Sequence, residues 1–293
     1  MQNKKSLEET YDRLSDEFFE TFYTYYPVHA TRQGLHEYDN SLGHYCRDEI
    51  AGTLDKMKAI QASVAVIDPE QMDHQHALDH PVLTTRIKRE IFWIENWRFW
   101  ETSPLFYKDL IVEGMFNLVS RDFAPLELRL RSLVNRQKDI PSVLKAAREN
   151  LENPPLEYTQ QTIDQMPGLL SFLKKLSNEF KDVQDEALQA EFTESNAAAM
   201  AELSAFLKFL EDDLLPRSKG KFAIGEAGIQ AIVDAEEMID VPVPQILDRC
   251  YQDLAKAERE IAELAHQIDP GATVPELVQR MRADHVEPDE LQQ

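Results

Sequence analysis

The chain has 293 residues, of which 43% are hydrophobic and 9% aromatic. This apolar content is too high for a disordered chain and predicts a globular protein with a sizeable core. The 53 acidic and 31 basic residues give a net charge of −22, which argues against nucleic acid or an anionic membrane as a partner.

Long helices are predicted, because only nine glycines occur and most fall between segments with helical apolar periodicity. Ser6 and Glu9 are spaced as a capping box at the start of the first helix. A kink is predicted at Pro167 and Gly168, because proline removes a backbone donor. The predicted helices cover residues 7–22, 47–66, 83–100, 125–134, 142–151, 159–180, 200–214 and 246–268, and another begins at Thr273.

No stretch of alternating polar and apolar residues suggests a sheet, since the best candidate, residues 222–224, is too short. The fold class predicted is all-α, an irregular bundle of about eight to twelve helices. We expect one helical domain over residues 1–293, with a sub-boundary near 216–226 as the point where it would divide. Residues 1–16 lack the apolar run of a signal peptide, so we expect a cytoplasmic protein.

Two cysteines, Cys46 and Cys250, occur far apart and form no zinc-type or redox-type spacing. Their number fits a reducing compartment. We interpret both as buried thiols that pack as small apolar side chains.

His36 and Glu37 begin like the H-E-x-x-H zinc signature, in which two histidines share one face of a helix. Position 40 is Asn40, so the second ligand is missing. We therefore favour a structural role for both residues over metal chemistry.

The densest set of candidate metal ligands is the tract 73–80, which contains His74, His76 and His80 with Asp73 and Asp79. Three imidazoles and two carboxylates could hold zinc. Its spacing has one residue more than the H-x-H-x-D-H loop of metallo-β-lactamase-like hydrolases, a fold that also requires strands. We favour a polar turn before a helix, with Asp79 placed favourably for the helix dipole.

The sequence has no nucleophile elbow and no glycine-rich dinucleotide motif. Residues 220–225 lack the strand and hydroxyl residue of a phosphate-binding loop, so we interpret them as a turn. The acidic run 179–194 is interpreted as a solvated face and loop. Aromatic residues gather at 18–26 and 92–100, where inter-helix packing is favoured over a binding groove.

Several strings in this sequence occur together in one known family. Residues 140–151 read IPSVLKAARENL, and Pro154 and Pro155 follow shortly after. Residues 27–34, 123–125 and 130–134 also match strings of the same family, in the order in which the family has them. On these residues the chain resembles the bacterial domain-of-unknown-function family 885, from about residue 15 to the end.

The resemblance implies a helical, zinc-dependent peptidase-like hydrolase. In complete members a histidine and glutamate motif lies on a helix in the carboxy-terminal half, whereas the residues here correspond to the amino-terminal half. No catalytic, cofactor-binding or metal-binding residue is therefore carried over to this chain, and neither His36 nor Glu37 aligns with that motif. Zinc is implied only for the full-length family, and we expect no cofactor in this chain.

Two functions remain open from the sequence. The first is the helical part of a peptidase-like hydrolase that forms one wall of a substrate cleft and is inactive alone. Its partners would be the missing carboxy-terminal half and a peptide substrate. The second is a non-catalytic helical scaffold or interaction protein. The two differ in that a half-protein should expose the apolar surface that meets its other half.

Overall fold

The computed structural model of the chain describes residues 2–285, with side chains from Lys5 onward. Helix makes up 81% of the chain and no strand occurs in the described residues, which confirms the all-α multi-helix bundle. The helices in chain order are α1 (Gln2–Tyr25), α2 (Pro27–Gln33), α3 (Arg47–Ala65), α4 (His74–Phe92), α5 (Phe99–Thr102), α6 (Pro104–Ser120), α7 (Leu126–Asn150), α8 (Leu156–Glu179), α9 (Glu186–Phe209), α10 (Leu215–Arg217), α11 (Gly225–Ile232), α12 (Val243–Ile268) and α13 (Val274–Ala283).

Three predicted helix starts were wrong, and one of them is α9, which begins at Glu186 and not at residue 200. Helix α1 begins at Gln2, so Ser6 lies inside it and its carbonyl accepts a hydrogen bond from Thr10 Oγ1 at 2.8 Å instead of capping the helix. Helix α4 begins at His74, because the side chain of Asp73 accepts the backbone N–H of His76 at 2.9 Å and caps the helix there.

Two features in the middle of the chain also differ from the prediction. The predicted helices 125–134 and 142–151 are one helix, α7, which continues through Pro141. Buried Ile140 and Leu144 on either side of the proline keep the apolar face continuous, and their packing outweighs the lost backbone bond. Helix α6 was not predicted, because it is apolar on several faces and has no single stripe.

The chain forms two compact units, one up to Met238 and one from Ile239 onward. In the first unit, α7 packs between α6 and α9, α8 packs on both α6 and α9, and α3 lies against α1 and α4. One core of buried side chains runs through these helices. The single-domain assignment, with its sub-boundary near 216–226, stays a prediction.

A buried arginine ties α2 to this core. Arg136 on α7 has no exposed surface. Its guanidinium donates to the carbonyls of Ser41 at 3.0 Å and Gly114 at 2.7 Å, and to Thr31 Oγ1 at 2.5 Å. Thr31 Oγ1 donates in turn to Asp39 Oδ1 at 2.6 Å. Because buried polar groups are costly unless paired, this network fixes α2 and the loop after it.

The second unit is a pair of helices, α12 and α13. Thr273 and Glu276 form a complete capping box at the start of α13. Helix α12 has a strongly one-sided apolar stripe, spaced by three, four and seven residues. The stripe consists of exposed side chains: Leu247, Tyr251, Leu254, Ile261, Leu264 and Ile268. No helix within the described residues combines the length and apolarity needed to cross a membrane.

Candidate functional site

The first unit contains an open cleft of about 580 Å³ between α1 and α4. The Tyr11 ring lies 5.7 Å from the His76 ring, and the Phe22 ring lies 4.6 Å from the guanidinium carbon of Arg86. Tyr11 and Phe22 are eleven residues apart on α1, and their partners His76 and Arg86 are ten residues apart on α4. Because both pairs advance in the same direction along the chain, the two helices run parallel along the cleft. We call this cavity the α1/α4 cleft.

The floor of the α1/α4 cleft is apolar and buried, and consists of Tyr11, Phe22 and Leu83. Exposed Phe19 and Val82 form its rims. Apolar floors with a few polar groups at defined positions are typical of ligand sites.

One end of the cleft is acidic. His76 lies between two carboxylates, with Nδ1 2.7 Å from Asp73 Oδ1 and Nε2 3.1 Å from Asp12 Oδ1. These hydrogen bonds, that to Asp73 first, raise the pKa of His76 and favour the imidazolium. Burial first, and then the charges of Asp79 and Asp12, raise the pKa of Tyr11 to about 12.

The opposite end is basic around His29 on α2. Burial first, and then the charges of Arg32, Arg86 and Arg89, lower the pKa of His29 to about 4. The ring is therefore neutral at pH 7. Arg32 Nη2 lies 3.4 Å from His29 Nδ1.

The α4 arginines of this end have a buried acidic neighbour, Glu90. Arg86 Nε lies 3.2 Å from Glu90 Oε1, and Arg89 Nε lies 3.6 Å from the same oxygen. The Nη groups of Arg86 have no hydrogen-bond partner among the described residues, so they can receive an anionic group.

Two smaller cavities continue past His29. One of about 240 Å³ lies by Arg89 and Trp93, and one of about 350 Å³ lies by Phe106 and Glu113. His29 and Tyr26 line both of them. His29 lines all three cavities, so they adjoin one another around this ring.

Within the described residues, one group of three metal-ligand side chains has its ligand atoms within 4.8 Å of one another: Glu8, Asp73 and His76. Both nitrogens of His76 are already hydrogen-bonded to carboxylates, and Glu8 Oε1 accepts the backbone N–H of Asp73 at 3.0 Å. An imidazolium has no lone pair to give a metal. As arranged, these residues do not fit the zinc site that the family resemblance implies.

The other candidates from the sequence lie elsewhere. His36 and Glu37 lie in a short 3-10 turn, where His36 Nδ1 is 3.0 Å from Asp39 Oδ2 and its ring stacks on Phe123 with centroids 3.9 Å apart. This position supports their structural interpretation. The tract 74–80 is the first part of α4 and not a turn before it, which corrects the prediction. Residues 220–224 form the predicted irregular segment before α11.

The prediction of buried thiols was wrong, since Cys46 and Cys250 are both exposed. Cys46 directly precedes α3, and Cys250 lies on the open surface of α12.

The aromatic residues at 18–26 divide between packing in the core and lining the cleft. Phe18, Phe22 and Tyr25 are buried in the core, whereas Phe19 and Tyr23 line the cleft.

Sequence reasoning did not identify Asp12, Asp79 and Arg86 as a set. They lie on two helices far apart in the chain, and each residue type is common on solvated helix faces. The one usable signal was the off-stripe position of Phe19 and Tyr23 beside these charges.

The sequence pattern of a family of bacterial proteins of unknown function, DUF885, matches residues 27–293. No curated protein matches the chain. Among solved structures, the chain is similar to "a putative lipoprotein of unknown function from Shewanella oneidensis", with a TM-score of 0.78 and 21% sequence identity. The similarity covers 96% of this chain and 54% of that one, so this chain spans about half the length of that relative. At this identity the likeness shows the fold alone.

Proposed function

This chain belongs to the DUF885 family, and we propose that it is the helical, substrate-cleft-forming part of a zinc-dependent, peptidase-like hydrolase whose catalytic motif lies outside these 293 residues. The observation that carries the proposal is the α1/α4 cleft with the two cavities that adjoin it at His29. A long groove with an apolar floor and charged ends suits an extended peptide.

Two further observations support a chain that works with a second half. The relative of known structure is nearly twice as long, since the similarity covers 54% of it. In addition, α12 exposes a stripe of six large apolar side chains. Stripes of this size mark interaction surfaces in soluble proteins. We propose that the remaining half of the family fold packs on this stripe.

The roles proposed for the two halves follow from the chemistry of zinc peptidases. In enzymes of this type, zinc acts as a Lewis acid that activates water and polarises the scissile carbonyl. Glu8, Asp73 and His76 do not fit that ion as they are arranged, and we propose that this chain contributes by binding and orienting the substrate. Orientation alone can supply several kcal/mol, about 7 to 11 in the best intramolecular cases. The absence of nucleic-acid, membrane and cofactor partners, and the cytoplasmic location, stay predictions.

The test compares the purified 293-residue chain with a form extended by the sequence encoded beyond codon 293, on a mixed peptide library with and without a chelator. We expect chelator-sensitive hydrolysis only from the extended form. The isolated chain should retain no stoichiometric zinc after dialysis. Chelator-sensitive cleavage by the short chain would refute the proposal. So would one tightly held zinc per chain that is lost on changing His76 and His80 to Ala.

A matched pair of variants tests the role of α12. Leu254→Glu places a charge in the apolar stripe and should prevent the two halves, expressed separately, from combining into an active enzyme. Gln252→Glu adds the same charge on another side of α12 and should leave reconstitution intact. Equal behaviour of the two variants would remove the stripe from the proposal.

A non-catalytic scaffold is the second candidate, and the exposed α12 stripe favours it equally. The experiment above separates the two. If the extended form contains no histidine and glutamate motif and hydrolyses nothing, the scaffold function is the better description.

A further inference from the structure

The α1/α4 cleft has charges of opposite sign at its two ends, separated by a defined length. Asp79 and Arg86 both line the cleft from α4 and lie seven residues apart. Two helical turns rise about 10 Å. Asp12 on α1 joins Asp79 at the acidic end, and His29 joins Arg86 at the basic end.

A chain of three residues in extended conformation spans about 10 Å from its amino group to its carboxylate. This length is similar to the rise of α4 between the backbone positions of Asp79 and Arg86. Between them, the apolar floor of Tyr11, Phe22 and Leu83 offers a surface for one apolar side chain. Asp12 is already paired with His76 Nε2 at 3.1 Å, so the ammonium group of a peptide is complementary to Asp79 and its carboxylate is complementary to the Arg86 guanidinium.

We propose that the α1/α4 cleft binds short peptides of about three residues with both termini free, holding the amino group at Asp79 and the carboxylate at Arg86. The inference rests on the proposed function, because it assigns a substrate class to the same cleft. A longer peptide cannot place both termini on these groups without bending, so the cleft selects by length as well as by charge.

The surroundings of each end agree with these assignments. Asp79 is exposed, and its carboxylate accepts only neutral hydrogen bonds, from Gln75 Nε2 at 3.0 and 3.1 Å. The guanidinium of Arg86 is held over Phe22 and anchored through Nε, which fixes the direction of its Nη groups. The neutral imidazole of His29 beside it adds a polar group without adding charge.

The test is direct binding to the 293-residue chain, measured by titration calorimetry with the tripeptide alanyl-phenylalanyl-alanine. Its N-acetylated, C-amidated and doubly blocked forms are the comparison ligands. We expect the free tripeptide to bind most tightly and each block to weaken binding about three- to tenfold. Dipeptides and pentapeptides should also bind more weakly than the free tripeptide.

Variants assign the ends. Asp79→Asn should weaken binding of the free peptide and remove the difference in affinity between the free and N-acetylated forms, while amidation still weakens binding. Arg86→Gln should remove the effect of amidation on affinity and leave the effect of acetylation. Asp164→Asn and Arg249→Gln remove a similar glutamine contact and a similar ion pair elsewhere, and should change nothing. Because Arg86 pairs with buried Glu90, Arg86→Lys serves as the folded variant that keeps the charge.

Equal affinity for all four peptides would overturn the proposal, and so would tighter binding of the amidated form, which would identify a cation site. Absence of saturable binding would overturn it as well. Hydrolysis by the extended form is a separate measurement. Binding without hydrolysis would contradict the proposed function alone, whereas hydrolysis without this terminus dependence would contradict only the present inference.

Discussion

Helices α7 and α12 are nearly equal in length, at 25 and 26 residues, yet they differ in what covers them. On α7 the apolar side chains are enclosed by α6 and α9, and Leu133, Ile140 and Leu144 have no exposed surface. On α12, Leu254, Leu264 and Ile268 expose 55%, 56% and 68% of their surface. An apolar stripe stabilises a helix only to the extent that another surface removes it from water.

The two units are therefore stabilised in different ways. The first unit buries its apolar side chains in one core and contains the α1/α4 cleft. The second unit leaves the stripe of α12 in water, where it contributes little to stability. Matched mutations in the two units test this contrast.

The largest expected effect is a leucine truncation made once in each unit. Leu173→Ala on α8 should lower the free energy of unfolding by about 2 to 5 kcal/mol, because it leaves a cavity in a closed core. Leu264→Ala on α12 should change it by less than about 0.5 kcal/mol, because that side chain is already in water. Urea denaturation of both variants provides the measurement. Similar losses would mean that α12 is covered in solution.

A pair of loop glycines gives the next contrast. A Cβ at Gly220 would lie 2.3 Å from the carbonyl oxygen of Asn153 and 2.8 Å from the carbonyl carbon of Pro154, both backbone atoms that cannot rotate away. Gly220→Ala should therefore cost about 1 to 3 kcal/mol. At Gly271 in the second unit the nearest atom is 3.5 Å away, so Gly271→Ala should be neutral within about 0.5 kcal/mol. Thermal unfolding of the two variants decides this, and a neutral Gly220→Ala would contradict the tight approach.

These contrasts also explain which features of the fold could be predicted from the sequence. Periodicity predicted α12 nearly in full and α7 as two separate pieces, because spacing along a helix is a local property. It could not show that one face is covered and the other exposed, since coverage depends on residues distant in the chain. Helix α6 was missed for the same reason, because it is enclosed on several sides and shows no stripe.

The site was harder to predict than the fold. The cleft combines Asp12 with Asp79 and Arg86, and only the packing of α1 along α4 brings them together. The family strings were of no help at this point. Thr31 lies in one of these strings, and with Asp39 and Arg136 it forms a buried network that positions α2.

His29 in the first unit should make one contribution to the pH dependence of stability, opposite in sign to that of Glu90, whose pKa burial raises. The His29 pKa of about 4 in the folded protein lies below the 6.5 of an unfolded histidine, so between these values the unfolded chain binds a proton that the folded one does not. This contribution to stability should therefore fall as the pH falls from about 6.5 to about 4. For a half-buried ring we expect about 1 kcal/mol.

His29→Gln should remove that part of the slope in urea denaturation between pH 7 and pH 4. At pH 8 both proteins are neutral at this position, so a difference there measures packing alone and serves as the reference. An unchanged slope in the variant would mean that the ring is protonated in the folded state.

The smallest expected effect belongs to the second unit and should stay within it. In the capping box of α13, Thr273 Oγ1 accepts the Glu276 N–H at 3.4 Å, and Glu276 Oε2 accepts the Thr273 N–H at 2.7 Å. Thr273→Ala removes one of these bonds and should cost about 1 kcal/mol of local helix stability. Hydrogen exchange should therefore accelerate roughly fivefold in α13 amides and remain unchanged in α7. Thr193→Ala on α9 is the control, because an exposed threonine inside a helix gains propensity when replaced by alanine. If Thr273→Ala also accelerated hydrogen exchange in α7, the two units would unfold together. The protein would then be one cooperative structure, and the contrast between the closed core and the exposed stripe would not hold.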